Sequence, residues 1–150
     1  MENKKQAVTT IIWIGLLTGT LDAIAALIWG HKTGPVVIFK YIASGVFGKA
    51  AFAGGAGIVL WGILFHYLIA FSFSAVFFLM YPSFISTLKN KYVAAIAFAM
   101  ITWVITNLII VPLSQIGWQP MALKGILIGF GILILTIGLP NALITDKVRK

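Results

Sequence analysis

The sequence predicts an all-α membrane protein: a four-transmembrane-helix bundle with an amphipathic or re-entrant helix between the first and second spans. Two observations carry this expectation. Of the 150 residues, 61% are hydrophobic and only 9% are charged, against roughly 45–50% and about 25% in soluble domains. The apolar residues also gather into runs of the ~20 residues that a helix needs to cross the hydrocarbon layer. So few charges cannot coat a water-exposed surface. The length suits one domain, and no hydrophilic stretch is long enough to fold as a second.

The first run covers residues 8–29. Lys4 and Lys5 ahead of it resemble the charged start of a secretory signal, and Ala23-Ile24-Ala25 resembles a cleavage site. Apolar sequence continues to Trp29, however, and Asp22 is out of place just before a cleavage site, so this run reads as an uncleaved span. The second run covers 55–81, the third 92–111 and the fourth 123–145. Pro82 and Pro112 are expected to end the second and third, because proline removes a donor from the helical ladder.

Between the first two spans, 35–53 is too apolar for a solvated linker. Thr33-Gly34-Pro35 looks like a helix start with proline in the first turn. Polar Lys40, Ser44 and Gly48-Lys49 then recur every four or five residues, which suggests an amphipathic helix lying on the outer interface. A re-entrant hairpin is the rival, since Gly45, Gly48, Gly54, Gly55 and Gly57 permit sharp turns and close packing.

The net charge of +8 does not point to nucleic acid. The basic residues flank apolar runs and form no stripe interleaved with aromatics. Placing the N-terminus inside puts Lys4, Lys5, Lys89, Lys91, Lys147, Arg149 and Lys150 on the inner side, and Lys32, Lys40, Lys49 and Lys124 outside. Trp29 and Trp118 then sit at the outer interface, Tyr81 and Tyr92 at the inner one. The expected location is a bacterial inner membrane, with both termini cytoplasmic and the lipid bilayer as the obligatory partner.

Helices in lipid associate through close fit, so small residues mark their contacts. Gly15 and Gly19 on the first span, Gly62 on the second, and Gly125 and Gly129 on the fourth are the expected packing positions, within the bundle or in a homo-oligomer. Each span pairs a small or polar face with a face of Ile, Leu, Phe and Trp, and the large residues are expected to face lipid.

Three polar side chains stand out inside the spans: Asp22, His66 and Asn107. A charge at a span centre costs ~2.5–3.5 kcal/mol on insertion scales. Counting along the ~1.5 Å helical rise, Asp22 lies about 10 Å and His66 about 16 Å below the outer edge, a difference of roughly one turn. An Asp22–His66 pair is therefore geometrically accessible and would be able to hold a proton. Other chemistries find little footing. There is no cysteine, no pair of carboxylates for acid–base work, no phosphate-binding loop and no base beside Ser44. His31 at the membrane edge and His66 deep inside lack ligand-spaced partners for a metal or haem. Neither a cofactor nor an enzymatic activity is expected.

Several blocks of sequence resemble a family. Gly15-Leu16-Leu17-Thr18-Gly19-Thr20-Leu21-Asp22 is similar to an opening found in small bacterial membrane proteins related to the YagU-like family, whose function is unknown. Ala43 to Gly48, Ala51 to Gly55, Gly62 to Ala70, Asn107 to Ser114 and Gly138-Leu139-Pro140 resemble the blocks that follow. The resemblance implies a four-span inner-membrane protein and places Asp22, His66, Asn107 and Pro140 in the recurring pattern. It also implies a histidine ahead of Gly-Leu-Pro, near where this chain has Leu133, which weakens any scheme that needs a second intramembrane histidine. The expectation is thus a non-enzymatic membrane protein associating through its small-residue faces. The alternative is a small proton- or ion-coupled transporter, or a pH-responsive channel, using Asp22 and His66 on an unidentified substrate.

Overall fold

The computed structural model describes residues 4–149, so Lys150 lies outside the described residues. Among them there is no strand. Five apolar helical segments are long and apolar enough to cross a membrane, where the sequence predicts four spans. They are α1 (Lys4–Trp29), α2 (Pro35–Phe47) with the 3-10 segment Gly48–Ala53, α3 (Ala56–Leu88), α4 (Lys91–Leu113) and α5 (Leu123–Val148). These helices are compatible with a multi-pass membrane protein.

Local chemistry sets the boundaries. Lys89, in the left-handed region at φ 52°, ends α3, and Asn90 starts α4 by accepting Tyr92 N–H at 2.8 Å and Val93 N–H at 3.3 Å. Pro35 occupies the first turn of α2, where no intrahelical donor is needed. Pro82 does not end its helix: α3 runs through it to Leu88. One proline leaves the other ladder bonds intact, and interior proline is tolerated in membrane helices where neighbours resatisfy the freed carbonyl.

Pro112 and Pro140 act differently. Each follows, by two residues, a stretch in which the ladder widens to a π-helix: Ile105–Ile110 and Ile134–Gly138. Val111 N–H reaches back five residues to the Thr106 carbonyl, and Leu139 N–H reaches back five to Ile134. A proline ring crowds the carbonyl four residues earlier and offers no donor to it, so the slip to i→i−5 bonding just upstream has a cause in the sequence.

α1, α3, α4 and α5 run alternately up and down. Thr18 meets Ser74 at 3.1 Å while Thr20 meets Tyr67 at 2.9 Å, the antiparallel order for α1 and α3. α4 and α5 are likewise antiparallel, with Lys91 at Asp146 and Trp103 at Gly129. One end of the bundle, the termini end, therefore gathers Lys4, Leu88, Lys91 and Val148. The opposite, loop end gathers Trp29, Ala56, Leu113 and Leu123. Both ends of α2 sit at the loop end. Gly34 N–H bonds the Gly30 carbonyl just beyond α1, and Gln115 N–H just beyond α4 bonds the Gly45 carbonyl at 3.0 Å. The chain then reverses at Gly48, φ 61°, and Lys40 Nζ donates to the Phe52 carbonyl at 3.0 Å across the hairpin.

Close approach explains several glycines. A Cβ on Gly15 would strike the Phe71 ring, and one on Gly19 would lie 2.8 Å from Tyr67. On Gly62 it would collide with the Phe39 carbonyl of α2, and on Gly138 with the Ala95 carbonyl of α4. The large aromatics correct the expected lipid-facing arrangement. Phe77 and Phe78 are fully buried, and Phe73 and Phe98 nearly so. Phe77 and Phe98 approach to 4.7 Å between centroids, with Phe84 stacked on Phe77 at 5.6 Å. The surface instead carries Trp13, Ile28, Leu60, Leu79, Leu127 and Leu135, each about two-thirds exposed. An apolar girdle of that extent suits lipid rather than water.

Candidate functional site

Near the loop end the bundle is hollow. A cavity of about 510 Å³ is lined by residues of all five helices and by Pro120, Met121 and Ala122 of the α4–α5 connection. Trp29, Pro120 and Met121 stand toward its loop-end mouth, while Ile137 and Phe73 line its deep side. Asp22 from α1, His66 from α3 and Asn107 from α4, the three polar residues singled out in the sequence, all line it.

They do not bond to one another. The His66 ring Nε2 donates to the Gly19 carbonyl at 2.7 Å, so the imidazole bridges α3 to α1 one turn from Asp22. Its ring also meets Phe39 of α2 edge-on, 6.3 Å between centroids. Asn107 Nδ2 donates to its own helix, to the Trp103 carbonyl at 3.0 Å. Asp22 takes a partner absent from the sequence reading: Thr136 of α5, whose hydroxyl lies 2.9 Å from Asp22 Oδ1. An Asp22–His66 ion pair is not formed; the two groups share a cavity wall instead.

The Thr136 hydroxyl is also 2.9 Å from the Ile132 carbonyl. One hydroxyl carries one proton, which gives the pair two self-consistent arrangements. If Asp22 is ionised, Thr136 donates to the carboxylate. If Asp22 is protonated, its own O–H donates to Thr136, whose proton turns to Ile132. The same geometry serves both forms of the acid without moving a heavy atom.

Both π segments border this region. One carries Thr106 and Asn107, the other Thr136, and in each a polar side chain donates to the carbonyl four residues back, where the ladder has slipped. Thr102, a residue only 2% exposed, also lines the cavity, and its buried hydroxyl has no hydrogen-bond partner. Of the expected packing glycines, Gly15 and Gly19 press on α3 and Gly62 on α2. Gly129 touches Trp103 at 3.5 Å, while Gly125 lines the cavity with open space where a Cβ would go.

The termini end holds a second polar cluster, which the expected fourth span stopped one residue short of. Asp146 Oδ1 accepts the Tyr81 hydroxyl at 2.9 Å and Oδ2 accepts Lys91 Nζ at 3.0 Å. Tyr81 is thereby 4% exposed rather than an interfacial anchor. The Arg149 guanidinium lies over the Phe78 ring at 4.4 Å. Asp146 is legible in hindsight as one of three acidic residues in the chain, placed to meet the lysine that opens α4. Among the described residues no three His, Cys, Asp or Glu side chains converge as a metal site would require.

Together the fold and cavity define a class, an α-helical protein with an apolar exterior and a largely apolar chamber that carries a few polar groups. No protein-family model matches the chain, and neither curated proteins nor solved structures provide a significant match.

Proposed function

We propose that this chain is a small bacterial inner-membrane carrier that holds one small molecule or ion in the loop-end cavity and handles a proton at Asp22 and His66. The observation that carries the reading is the convergence of Asp22, His66 and Asn107, from three separate helices, on one cavity of about 510 Å³. Ligand chambers commonly run ~300–1,000 Å³ with apolar walls and a few placed polar groups. An intramembrane carboxylate is expensive, and function is the default account of one that lines a chamber.

On this reading α1, α3, α4 and α5 cross the bilayer. α2 covers the loop end as an interfacial or partly re-entrant helix. Its 13 α-helical residues extend only ~20 Å, short of the ~30 Å hydrocarbon core. The meeting of both its ends with the loop end supports the same arrangement. Lys4, Lys5, Lys89, Lys91, Lys147 and Arg149 at the termini end support cytoplasmic termini. The cavity then opens outward. Kinship with YagU-like proteins belongs to this reading and rests on the sequence blocks; three polar residues of those blocks are the cavity's own, and Pro140 follows its π segment.

Association of copies through small-residue faces has less to draw on, because Gly15, Gly19 and Gly62 are taken up by contacts within the chain. The decisive experiment uses purified protein in liposomes containing a trapped pH dye, under imposed proton and solute gradients. Proton movement above that of empty liposomes, lost in Asp22→Asn and reduced in His66→Ala, is expected. Wild type no different from empty liposomes across the gradients would sink the carrier reading. A reporter fused after Lys150 is expected to be active only on the cytoplasmic side.

A further inference from the structure

We propose that the cavity binds a lipophilic organic cation, an ammonium- or phosphonium-type head on an apolar body, in exchange for one proton of Asp22. The passage of that ligand across the membrane rests on the carrier reading; the binding step does not.

The charge pattern of the wall points to a cation. Of the residues lining the cavity, the titratable ones are Asp22 from α1 and His66 from α3; α2, α4 and α5 contribute none, and no Lys or Arg reaches it. An anion would find no fixed positive partner there and would meet the Asp22 carboxylate. The hydrogen-bonding groups lean the same way. Asp22 has its second oxygen clear of Thr136, and Asn107 places one amide N–H on Trp103, which leaves its carbonyl oxygen and a second N–H. The residues around the chamber thus hold a carboxylate oxygen and an amide oxygen as acceptors, against a single remaining amide donor from Asn107.

The remaining wall suits a bulky, greasy ion rather than a bare metal. Trp29, Trp103 and Phe73 place aromatic rings in the wall, the residue types whose faces attract cations. A hard metal ion asks for about six close oxygen ligands, and this wall has one carboxylate in a space of about 510 Å³. An apolar body of drug-like size fills that volume and leaves its head beside Asp22.

The exchange balances. In the empty site the protonated Asp22 donates to Thr136, and Thr136 to the Ile132 carbonyl. An arriving cation displaces the acid proton, which leaves to the medium through the loop-end mouth. Thr136 then turns its O–H toward the new carboxylate, and the cation pairs with that carboxylate. One positive charge enters and one leaves. The site is neutral before and after, which is the condition a low-dielectric interior favours.

Tetraphenylphosphonium and tetraphenylborate share a shape and differ in the sign of their charge, so they make the test. Binding to the protein in nanodiscs is followed by quenching of tryptophan fluorescence, and proton release by a dye in weakly buffered medium. Tetraphenylphosphonium is expected to bind, to release close to one proton per site, and to lose affinity as the pH is lowered. Asp22→Asn should weaken it at least tenfold and abolish the proton release. Gly125→Leu, whose side chain enters open space at the cavity, should block it with the fold intact by circular dichroism. Equal binding of the two ions would overturn the proposal, as would cation binding unchanged in both variants. Transport of a neutral solute without any cation preference would overturn it while leaving the carrier reading standing. Conversely, binding with proton release but no flux in liposomes would keep the site and sink the carrier.

Discussion

The two halves of this bundle are built from the same four long helices yet packed in opposite ways. Toward the termini end, Phe73, Phe77, Phe98 and Ile137 fill the interior, Gly138 lets α5 touch the α4 backbone, and Tyr81 closes on Asp146. Toward the loop end the helices part around a cavity of about 510 Å³ that holds Asp22, His66 and Asn107. The π segments Ile105–Ile110 and Ile134–Gly138 lie beside that cavity. The difference teaches that rigidity and reactivity are segregated here. The solid half holds the helices in register, and the hollow half presents polar groups that no neighbouring side chain fully claims.

The sharpest way to break the comparison is to damage the solid half and watch the hollow one. Phe98→Ala removes the ring shared by Phe73, Phe77 and Phe84. It should cost about 3 kcal/mol, the lower end of the usual range for such truncations, because in lipid packing is lost without a water-transfer gain. Unfolding in mixed micelles reads this directly, and a change under 1 kcal/mol would show that the aromatic core is not what holds this half. Gly138→Val should be of similar severity, since its Cβ meets a backbone carbonyl that has little freedom to yield.

A middle-sized effect is expected where the termini end is polar. Tyr81→Phe deletes the tyrosine's bond to the Asp146 carboxylate, which also accepts from Lys91. It should lower stability by about 1 kcal/mol, measured by the same unfolding assay, with cavity binding unchanged. Coupling of this variant to ligand affinity would mean that the two halves are less separate than their packing suggests.

The smallest effect sharpens the comparison instead of breaking it. Thr102→Val replaces a buried hydroxyl without a partner by a methyl of the same shape. Such a change should be neutral or stabilising by up to about 1 kcal/mol, while weakening binding of a cation in the cavity several-fold. In a packing position the same substitution would leave binding untouched, so the two readouts together decide what Thr102 is for.

Much of this was legible from the chain. The all-helical, apolar character, the start of α2 at Pro35 and the small-residue stripe of α1 follow from hydropathy and glycine spacing, whereas the extension of α3 through Pro82 to Leu88 does not. The three polar residues within the apolar helices could be named because each is rare in its setting. What escaped was who faces whom. In water a phenylalanine has a strong preference for the interior; in lipid it is equally at home on either side. Phe73, Phe77 and Phe98 therefore read as exterior and are core. Thr136 escaped for a related reason, since one threonine among many carries no sign of the carboxylate 114 residues away that it bonds.

By itself, then, the sequence determined the long apolar helices, compatible with a membrane, and the few polar groups set among them. These are local or compositional quantities, read directly from hydropathy, spacing and the helix-shaping prolines. Only the tertiary structure decided that the polar groups meet at one cavity without pairing, that Asp22 rests on Thr136, and that two π segments border the chamber. Those outcomes depend on how four antiparallel helices are rotated about their axes, and an apolar solvent leaves almost no trace of that rotation in the order of residues.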